Sequence, residues 1–575
     1  MQLRPYQQTA DRQIVEAWNA GAQNVLLVMP CRSGKTSLFG NRVNEEPGAS
    51  VCIAHRQELV GQMSRTLARY GLRHRIIGQK AVVRTVVSSH IIEFGRDFYD
   101  PASHIAVASV DTLDSWSKPT SPQNASLMRW AAQVRLWVTD EAHHLLGDGS
   151  GNGNKWGRAI ALFPNARGLG VTATACRTDG KGLGRHADGP FDVLIEGPQM
   201  RELITGLPDH SGGIVPYLAD YRIICPPSDL DLSSVATGAD GDFIRGQLAL
   251  KTRSSTVMGH VVQEYLRYAK GKLGVTFAPD VETATTFSKM FNEAGVPAEV
   301  VTAKTPDKTR TEILKRFSQR KVMQLVNVDL FGEGIDLPAL ECVSMARATQ
   351  SYGLYVQQFN RPLTLFADNP DKAIIIDHVG NVLRHGLPDR PRAWTLDRRE
   401  RRSSSTGPNE IPMRVCGNPD IGGGVPCAAP YLRTELACPY CGWQPVPTVR
   451  NSPELVDGDL YELDPETLAA MRGEVSKVDR HPDEVRRMME RSGAAPVVCH
   501  SAAKQHAARQ TAQTALRDVI AWYGGVQRAL GRPDRVGWRY FFYEFGIDVL
   551  SAQALGRTEA EELTGRIYQR IGGMV

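Results

Sequence analysis

Two short apolar runs, each ending in a set of residues with few chemical uses, fix most of what this chain can fold into. Asn24-Val25-Leu26-Leu27-Val28 leads into Met29-Pro30-Cys31-Arg32-Ser33-Gly34-Lys35-Thr36, and Leu136-Trp137-Val138-Thr139 leads into Asp140-Glu141-Ala142-His143-His144. Short apolar runs of this kind read as strands buried on both faces. A buried strand that turns through Ser33 and Gly34 into a helix beginning Lys35-Thr36 is a cradle for phosphate. Its N–H groups point at the anion, Lys35 brings a positive charge to the terminal phosphates, and the Thr36 hydroxyl can ligate Mg²⁺. At the end of the second strand Asp140 can hold the metal, and Glu141 can orient and deprotonate a water. Met29 stands where the usual loop begins with glycine. The two signatures, each after its own strand and in this order, predict binding and hydrolysis of a nucleoside triphosphate.

Apolar strand candidates alternate with helical stretches along most of the chain. Up to about residue 203 the further candidates are 51–54, 105–108 and 168–172, a pattern that predicts an α/β fold with a parallel sheet covered by helices on both faces. Gly and Pro accumulate over 208–255, where Tyr221-Arg222-Ile223-Ile224-Cys225 before Pro226-Pro227 reads as one exposed strand inside a connector. Alternation resumes at 273–277, 298–301, 322–326, 342–345 and 373–377, in a second α/β half with no phosphate loop of its own. The expected division is 1–207 for the first half, 208–255 for the connector and 256–396 for the second half. A basic linker and cysteine module should occupy 397–450, and a mostly helical domain 451–575. Within that domain the aromatic run Trp538-Arg539-Tyr540-Phe541-Phe542-Tyr543-Glu544-Phe545 is expected to form a small core rather than a base-stacking surface.

The 575 residues suffice for three or four domains, and 42% hydrophobic with 22% charged residues is a globular composition. No apolar stretch approaches the roughly 18 residues of a membrane span, so no membrane partner is expected. Met1-Gln2-Leu3-Arg4-Pro5 lacks the apolar core of a signal peptide, so export is not expected either. The net charge of +5 permits a nucleic-acid groove without establishing one, because clustering on a face is what matters. Of ten cysteines, six are scattered (Cys31, Cys52, Cys176, Cys225, Cys342 and Cys499) and read as small buried residues in a reducing compartment.

The other four are bunched. Cys438-Pro439-Tyr440-Cys441 is a tight turn that presents two thiolates to one ion, and Cys416 and Cys427 can complete a Cys₄ zinc site that staples the tail. A disulfide and a redox-active CxxC are the rival readings. The first is disfavoured by the compartment, the second by the lack of a thioredoxin-like unit around the motif.

Further motifs, in order, give a family resemblance over residues 1–385. Leu3-Arg4-Pro5-Tyr6-Gln7, Ala54-His55-Arg56-Gln57-Glu58-Leu59, Ala108-Ser109-Val110-Asp111-Thr112-Leu113, Thr172-Ala173-Thr174, Phe331-Gly332-Glu333-Gly334-Ile335-Asp336 and Tyr355-Val356-Gln357-Gln358-Phe359-Asn360-Arg361 accompany the two signatures above. Together they resemble superfamily-two helicases of the DEAH-box type, the branch of phage helicases, restriction-enzyme translocase subunits and repair helicases. The resemblance implies two tandem RecA-like domains with ATP and Mg²⁺ bound in the cleft between them. Arg4 and Gln7 would read adenine, Gly334 and Asp336 would close over the ribose, and Gln357 and Arg361 would complete the site, Arg361 as the arginine finger. Arg56, Ser109 and Thr112 would touch a nucleic-acid backbone, and Thr172-Ala173-Thr174 would couple it to the nucleotide.

The finger motif of that family reads Gln-x-x-Gly-Arg-x-x-Arg. Here Asn360 replaces the glycine and Thr364 the second arginine, with Arg347 the nearest candidate to compensate. The expected activity is ATP-dependent helicase or translocase action, on DNA more than on RNA. The alternatives are an RNA helicase and a nucleic-acid-binding regulator with weak ATPase. A partner protein or nuclease subunit would be needed for cleavage, and the expected setting is the cytoplasm of a bacterial or phage-infected cell.

Overall fold

The computed structural model describes residues 2–54, 57–147, 154–177, 179–238, 241–328, 340–365, 372–398, 413–445, 477–491 and 496–572. The chain divides into two compact units, Met1–Arg401 and Arg402–Val575.

In the first unit, helix α1 (Pro5–Asn19) buries Tyr6, Gln7, Ala10, Ile14 and Trp18, one face at helical spacing. Behind it lies a sheet of seven strands: β1 (Asn24–Val28), β2 (Ala49–Ala54), β3 (Arg75–Ile77), β4 (Ile105–Ser109), β5 (Val134–Thr139), β6 (Arg167–Thr172) and β7 (Val193–Glu196). The strands are all parallel and run in the order β3-β4-β2-β5-β6-β1-β7. Every residue of β1, β2 and β4 is buried, as continuous apolar runs require when helices cover both faces. Close approach dictates Gly168 in β6, where an added Cβ would lie 2.0 Å from the Trp137 indole.

At the β3 side of this sheet three fully buried polar groups satisfy one another. Ser64 Oγ lies 2.5 Å from His74 Nε2 and 3.0 Å from His90 Nε2. His74 Nδ1 donates to the Leu72 carbonyl, and His90 Nδ1 accepts from the Phe98 N–H. Those outer bonds fix both tautomers, so Ser64 donates to His74 and accepts from His90. Both imidazoles are therefore neutral, and burial holds the His74 pKa down at about 4.

A hairpin of β8 (Leu207–Pro208) and β9 (Ile214–Val215) leads to the second sheet. Its strands are β10 (Tyr221–Ile224), β11 (Gly274–Phe277), β12 (Ala298–Thr302), β13 (Gln324–Val328), β14 (Cys342–Met345) and β15 (Ala373–Asp377), parallel, in the order β10-β15-β14-β11-β13-β12. One sequence expectation needs correction here. Tyr221–Ile224 is not an exposed strand in a connector but an edge strand of the second sheet, with Tyr221, Ile223 and Ile224 buried. The connector also forms the helix Arg245–Arg253.

The chain crosses between the two α/β domains twice. On the way out, the N–H groups of Tyr217 and Leu218 donate to the Leu203 carbonyl in the helix Met200–Thr205, and Ala219 N–H donates to the Leu363 carbonyl. On the way back, Asp389 pairs with Arg201 of the same helix and Trp394 N–H donates to Glu196. The Leu396 carbonyl then accepts from the Leu183 and Gly184 N–H groups, and Arg398 forks onto Asp188 at 2.8 and 2.9 Å. Arg398, expected to lie in the basic linker, is pinned to the first domain; residues 399–412 lie outside the described ones.

In the second unit, β16 (Met413–Val415) and β17 (Pro430–Leu432) form an antiparallel pair. The helices Pro482–Arg491, Pro496–Ala529, Asp534–Phe545, Val549–Ala552 and Arg557–Gly572 follow. Their core gathers Leu516, Tyr523, Phe541, Phe545, Leu563 and Ile567, so the aromatic run builds a helical core as expected. Among the described residues no helix is long and apolar enough to cross a membrane.

Candidate nucleotide cleft and cysteine cluster

β1 ends at Val28 and α2 (Lys35–Glu45) begins at Lys35, so residues 29–34 form a loop at the C-terminal edge of a parallel sheet, the usual place for a ligand in such folds. Gly34 caps α2 at φ +81°, and an added Cβ would lie 2.3 Å from Gln7 Nε2. Lys35 Nζ donates to the Met29 and Pro30 carbonyls, 3.1 Å each, and so lies across its own loop. Ser33 Oγ closes the turn on the Pro30 carbonyl at 2.7 Å. Thr36, half-buried, is the second residue of α2.

Gln7 is 3% exposed, and its amide is engaged by the chain. Nε2 donates to the Ser33 and Gly34 carbonyls at 3.1 Å each, and Oε1 accepts from Arg4 N–H at 2.8 Å. The residue expected to read adenine thus braces the phosphate loop from behind. Tyr6 joins it, donating to the Ser33 carbonyl at 2.8 Å and packing edge-on against Tyr217, over which the Arg4 guanidinium lies at 4.7 Å. Tyr217 belongs to no motif and was invisible in the sequence.

Beyond β5, Asp140 Oδ1 accepts the Glu141 N–H at 2.9 Å. Glu141 sits in the left-handed region at φ +52°, a strained conformation for a non-glycine residue. Its carboxylate is met from both domains: Gln357 Nε2 donates to Oε1 at 3.4 Å, and His143 Nδ1 lies 3.4 Å from Oε2. His143 Nδ1 is also 3.0 Å from Thr172 Oγ1, which bonds to Thr174 in turn, so His143 links the acid pair to the Thr-Ala-Thr segment.

Cys31, on the phosphate loop, lies among groups of both domains. Burial pushes its thiol pKa up, and its surroundings include the charges of Lys35, Glu141 and Arg361 and the amide of Asn360. Groups 326 residues apart in sequence thus converge on one loop.

Other expectations fare differently. Arg347 is 6% exposed with its guanidinium 3.7 Å from Asp242, so its charge is met within the second domain. Ser109, offered as a nucleic-acid contact, is buried and caps the helix Val110–Trp116 through Thr112, N–H to Oγ at 3.2 Å. Thr112 is half-buried beside it. Arg56, Gly334 and Asp336 lie outside the described residues. Of the six scattered cysteines, Cys31 and Cys176 are only partly buried, whereas Cys52, Cys225, Cys342 and Cys499 are core residues.

The four bunched cysteines do converge, all four sulfurs lying within 4.8 Å of one another. Cys416 Sγ is 3.6 Å from Cys441 Sγ, and Cys427 Sγ is 3.9 Å from Cys438 Sγ. These separations are far beyond the ~2.05 Å of a disulfide, and close to the edge of about 3.8 Å expected for a tetrahedron with ~2.3 Å Zn–S bonds. The turn is fixed by Gly442 N–H donating to the Cys438 carbonyl and Cys438 N–H to the Trp443 carbonyl, both at 2.8 Å. Burial pushes the Cys427 thiol up to about 11. For Cys441 the same burial is outweighed by the Trp443 N–H and the Asn418 amide, which bring it down to about 7.

Residues 1–177 match the family described as "Type III restriction enzyme, res subunit", and residues 258–363 match "Helicase conserved C-terminal domain". The chain is similar to the 51.5 kDa protein of Lactococcus phage (isolate 7-9), with 32% identity over 308 residues, 53% of this chain and 61% of the phage protein. It is similar to the putative ATP-dependent helicase IRC3 of Saccharomyces cerevisiae, with 25% identity over 391 residues, 66% of this chain and 51% of the yeast protein. The chain therefore spans 61% and 51% of these curated relatives. Among solved structures, a fragment of a putative HsdR subunit of a type I restriction enzyme from Vibrio vulnificus YJ016 aligns with a TM-score of 0.45 at 19% identity, covering 67% of this chain and 65% of that one. Over residues 1–177 and 258–363, and so in both α/β domains, the chain is similar to helicases of superfamily two.

Proposed function

We propose that the chain hydrolyses ATP in the cleft between its two α/β domains and uses the cycle to move along or unwind nucleic acid, DNA more than RNA. The observation that carries this reading is the bond from Gln357 of the second domain to Glu141 of the first, beside a phosphate loop whose Cys31 also senses Arg361. Site residues that meet only across a cleft tie nucleotide binding to domain closure.

The residues suit the reaction. Lys35, now resting on two carbonyls, has a ready exchange of those acceptors for phosphate oxygens. Thr36 and Asp140 are the residues that would hold Mg²⁺, which when bound neutralises charge on the terminal phosphates. Glu141 orients and takes the proton of the attacking water, with His143 and Gln357 holding its carboxylate. Arg361 approaches from the other domain, placed to neutralise the charge that develops on the transferring group.

The DNA preference rests on the resemblance to phage, restriction and repair helicases. The match to a restriction-enzyme subunit favours a partner protein or nuclease subunit. The cysteine cluster would hold a structural zinc, its thiolate spacing being the supporting feature.

Steady-state ATP hydrolysis with single-stranded, duplex and forked DNA and with RNA tests the proposal. DNA should stimulate turnover, and Glu141→Gln should keep ATP binding while losing turnover by about a hundredfold or more. Stimulation by RNA alone would favour the RNA helicase, and parental turnover by Glu141→Gln would refute the assignment of the acid pair.

A further inference from the structure

Asn360 has no role in the reaction as described so far. It stands where the resembled motif has glycine, yet the backbone makes no demand for glycine there: Asn360 closes the helix Tyr352–Phe359 at φ −79° and ψ −5°. The side chain is 1% exposed, and neither Oδ1 nor Nδ2 has a nitrogen or oxygen partner among the described residues, the Cys31 thiol being the group the amide meets. Its neighbour is the Cys31 thiol on the phosphate loop, and sulfur is too weak an acceptor to satisfy a buried amide. Buried amides are held without such partners at a cost, and each one in a native structure calls for an explanation, a catalytic role or a bound water or ion among them. Gln357, three residues earlier on the same helix, donates to Glu141 at 3.4 Å, and this puts that explanation at the nucleotide cleft.

We propose that Asn360 is a nucleotide-contacting residue whose Nδ2 donates to a terminal phosphate oxygen of the bound nucleoside triphosphate, next to Arg361. This rests on the ATPase reading above and deepens it. The residue supplies a neutral donor in a motif that lacks its second arginine, the position held here by Thr364. A neutral amide adds direction without charge, so it favours a triphosphate over a diphosphate by one hydrogen bond and leaves the charge neutralisation to Arg361 and Lys35.

The test uses the full chain and compares the parent with Asn360→Gly and Asn360→Asp. The measurements are affinities for ADP and for a non-hydrolysable ATP analogue, kcat and KM for ATP with saturating DNA, and thermal melting. Asn360→Gly should weaken the analogue by about tenfold while ADP stays within about twofold of the parent, since only one charge-assisted hydrogen bond is lost. Asn360→Asp, of the same shape, should weaken the analogue further, because a carboxylate repels the terminal phosphate, and it decides the case if the glycine variant does not fold. A parental ratio of the two affinities in both variants overturns the proposal. So does an equal loss for ADP and the analogue accompanied by lower melting, which is the signature of packing alone. Failure of the ATPase reading would look different: the parent itself would neither bind the analogue nor differ from Lys35→Ala.

Discussion

Gly34 shows how a single position in the phosphate loop answers two demands. Its φ of +81° excludes most side chains, and the space a Cβ would need is taken by Gln7 Nε2. Gly34→Ala must therefore strain the backbone and push away the amide that holds the Ser33 and Gly34 carbonyls. The expected loss is roughly 1–3 kcal/mol of stability, read by denaturant titration, together with weaker nucleotide binding. Arg361→Ala makes the complementary prediction from across the cleft: single-turnover hydrolysis should fall by about a hundredfold or more with nucleotide affinity less affected. A parental rate would mean that the charge from the second domain is not used. The positions of Lys35, Asp140 and Glu141 just beyond buried strands were legible in the sequence, because each sits in a short motif that follows an apolar run. The bracing role of Gln7 was not, because a carboxamide suits adenine and two carbonyls equally well, and only the fold shows which lies within reach. Tyr217 could not be found at all, since its partners Arg4 and Tyr6 lie more than two hundred residues away.

At the scale of elements, ten strands were legible as apolar runs, because a parallel strand covered on both faces leaves little room for polar residues. β3 and β7 escaped, being only three and four residues long, with polar or half-buried members. β10 was seen but misplaced: the prolines after it suggested a stop, whereas pairing with β15, some 150 residues later, gives it a sheet edge. The buried Ser64–His74–His90 group adds a pH dependence to this scale. His74 has a folded pKa of about 4 against an ordinary 6.5, so the unfolded chain takes up its proton first as pH falls. The group therefore contributes its full stability above pH 6.5 and loses it between pH 6.5 and 4, up to roughly 3 kcal/mol. His74→Gln should flatten that decline in urea melts at pH 7, 5.5 and 4.5; an unchanged slope would show that other groups govern acid unfolding.

For the whole molecule, the sequence showed two α/β halves and a tail expected from residue 397, and the chain divides into compact units at Arg401. It did not show the second crossing, because a bond such as Trp394 N–H to Glu196 leaves no periodic trace. The tail supplies its own prediction. Thiolates must lose protons to bind zinc, and the site forms as its ribbon folds. Elemental analysis should find one zinc ion per chain, lost in the Cys438→Ser, Cys441→Ser variant, with ATP turnover by Met1–Arg401 preserved. Native protein without metal would reduce the cluster to ordinary thiols.

The return of the chain to the first domain has a mechanical consequence. A body tied to its neighbour at one point can swivel in any direction, whereas one tied at two can only swing about the line joining them, as a door does. Each crossing seats one bond on the six-residue helix Met200–Thr205, the outgoing one at the Leu203 carbonyl and the returning one at Arg201, and the returning one is fastened further at Glu196, Leu183, Gly184 and Asp188. That helix is the doorpost. Each ATP consumed would then yield the same arc, and the length of a step along a nucleic acid would be set by how far the threaded strand lies from Arg201 and Leu203.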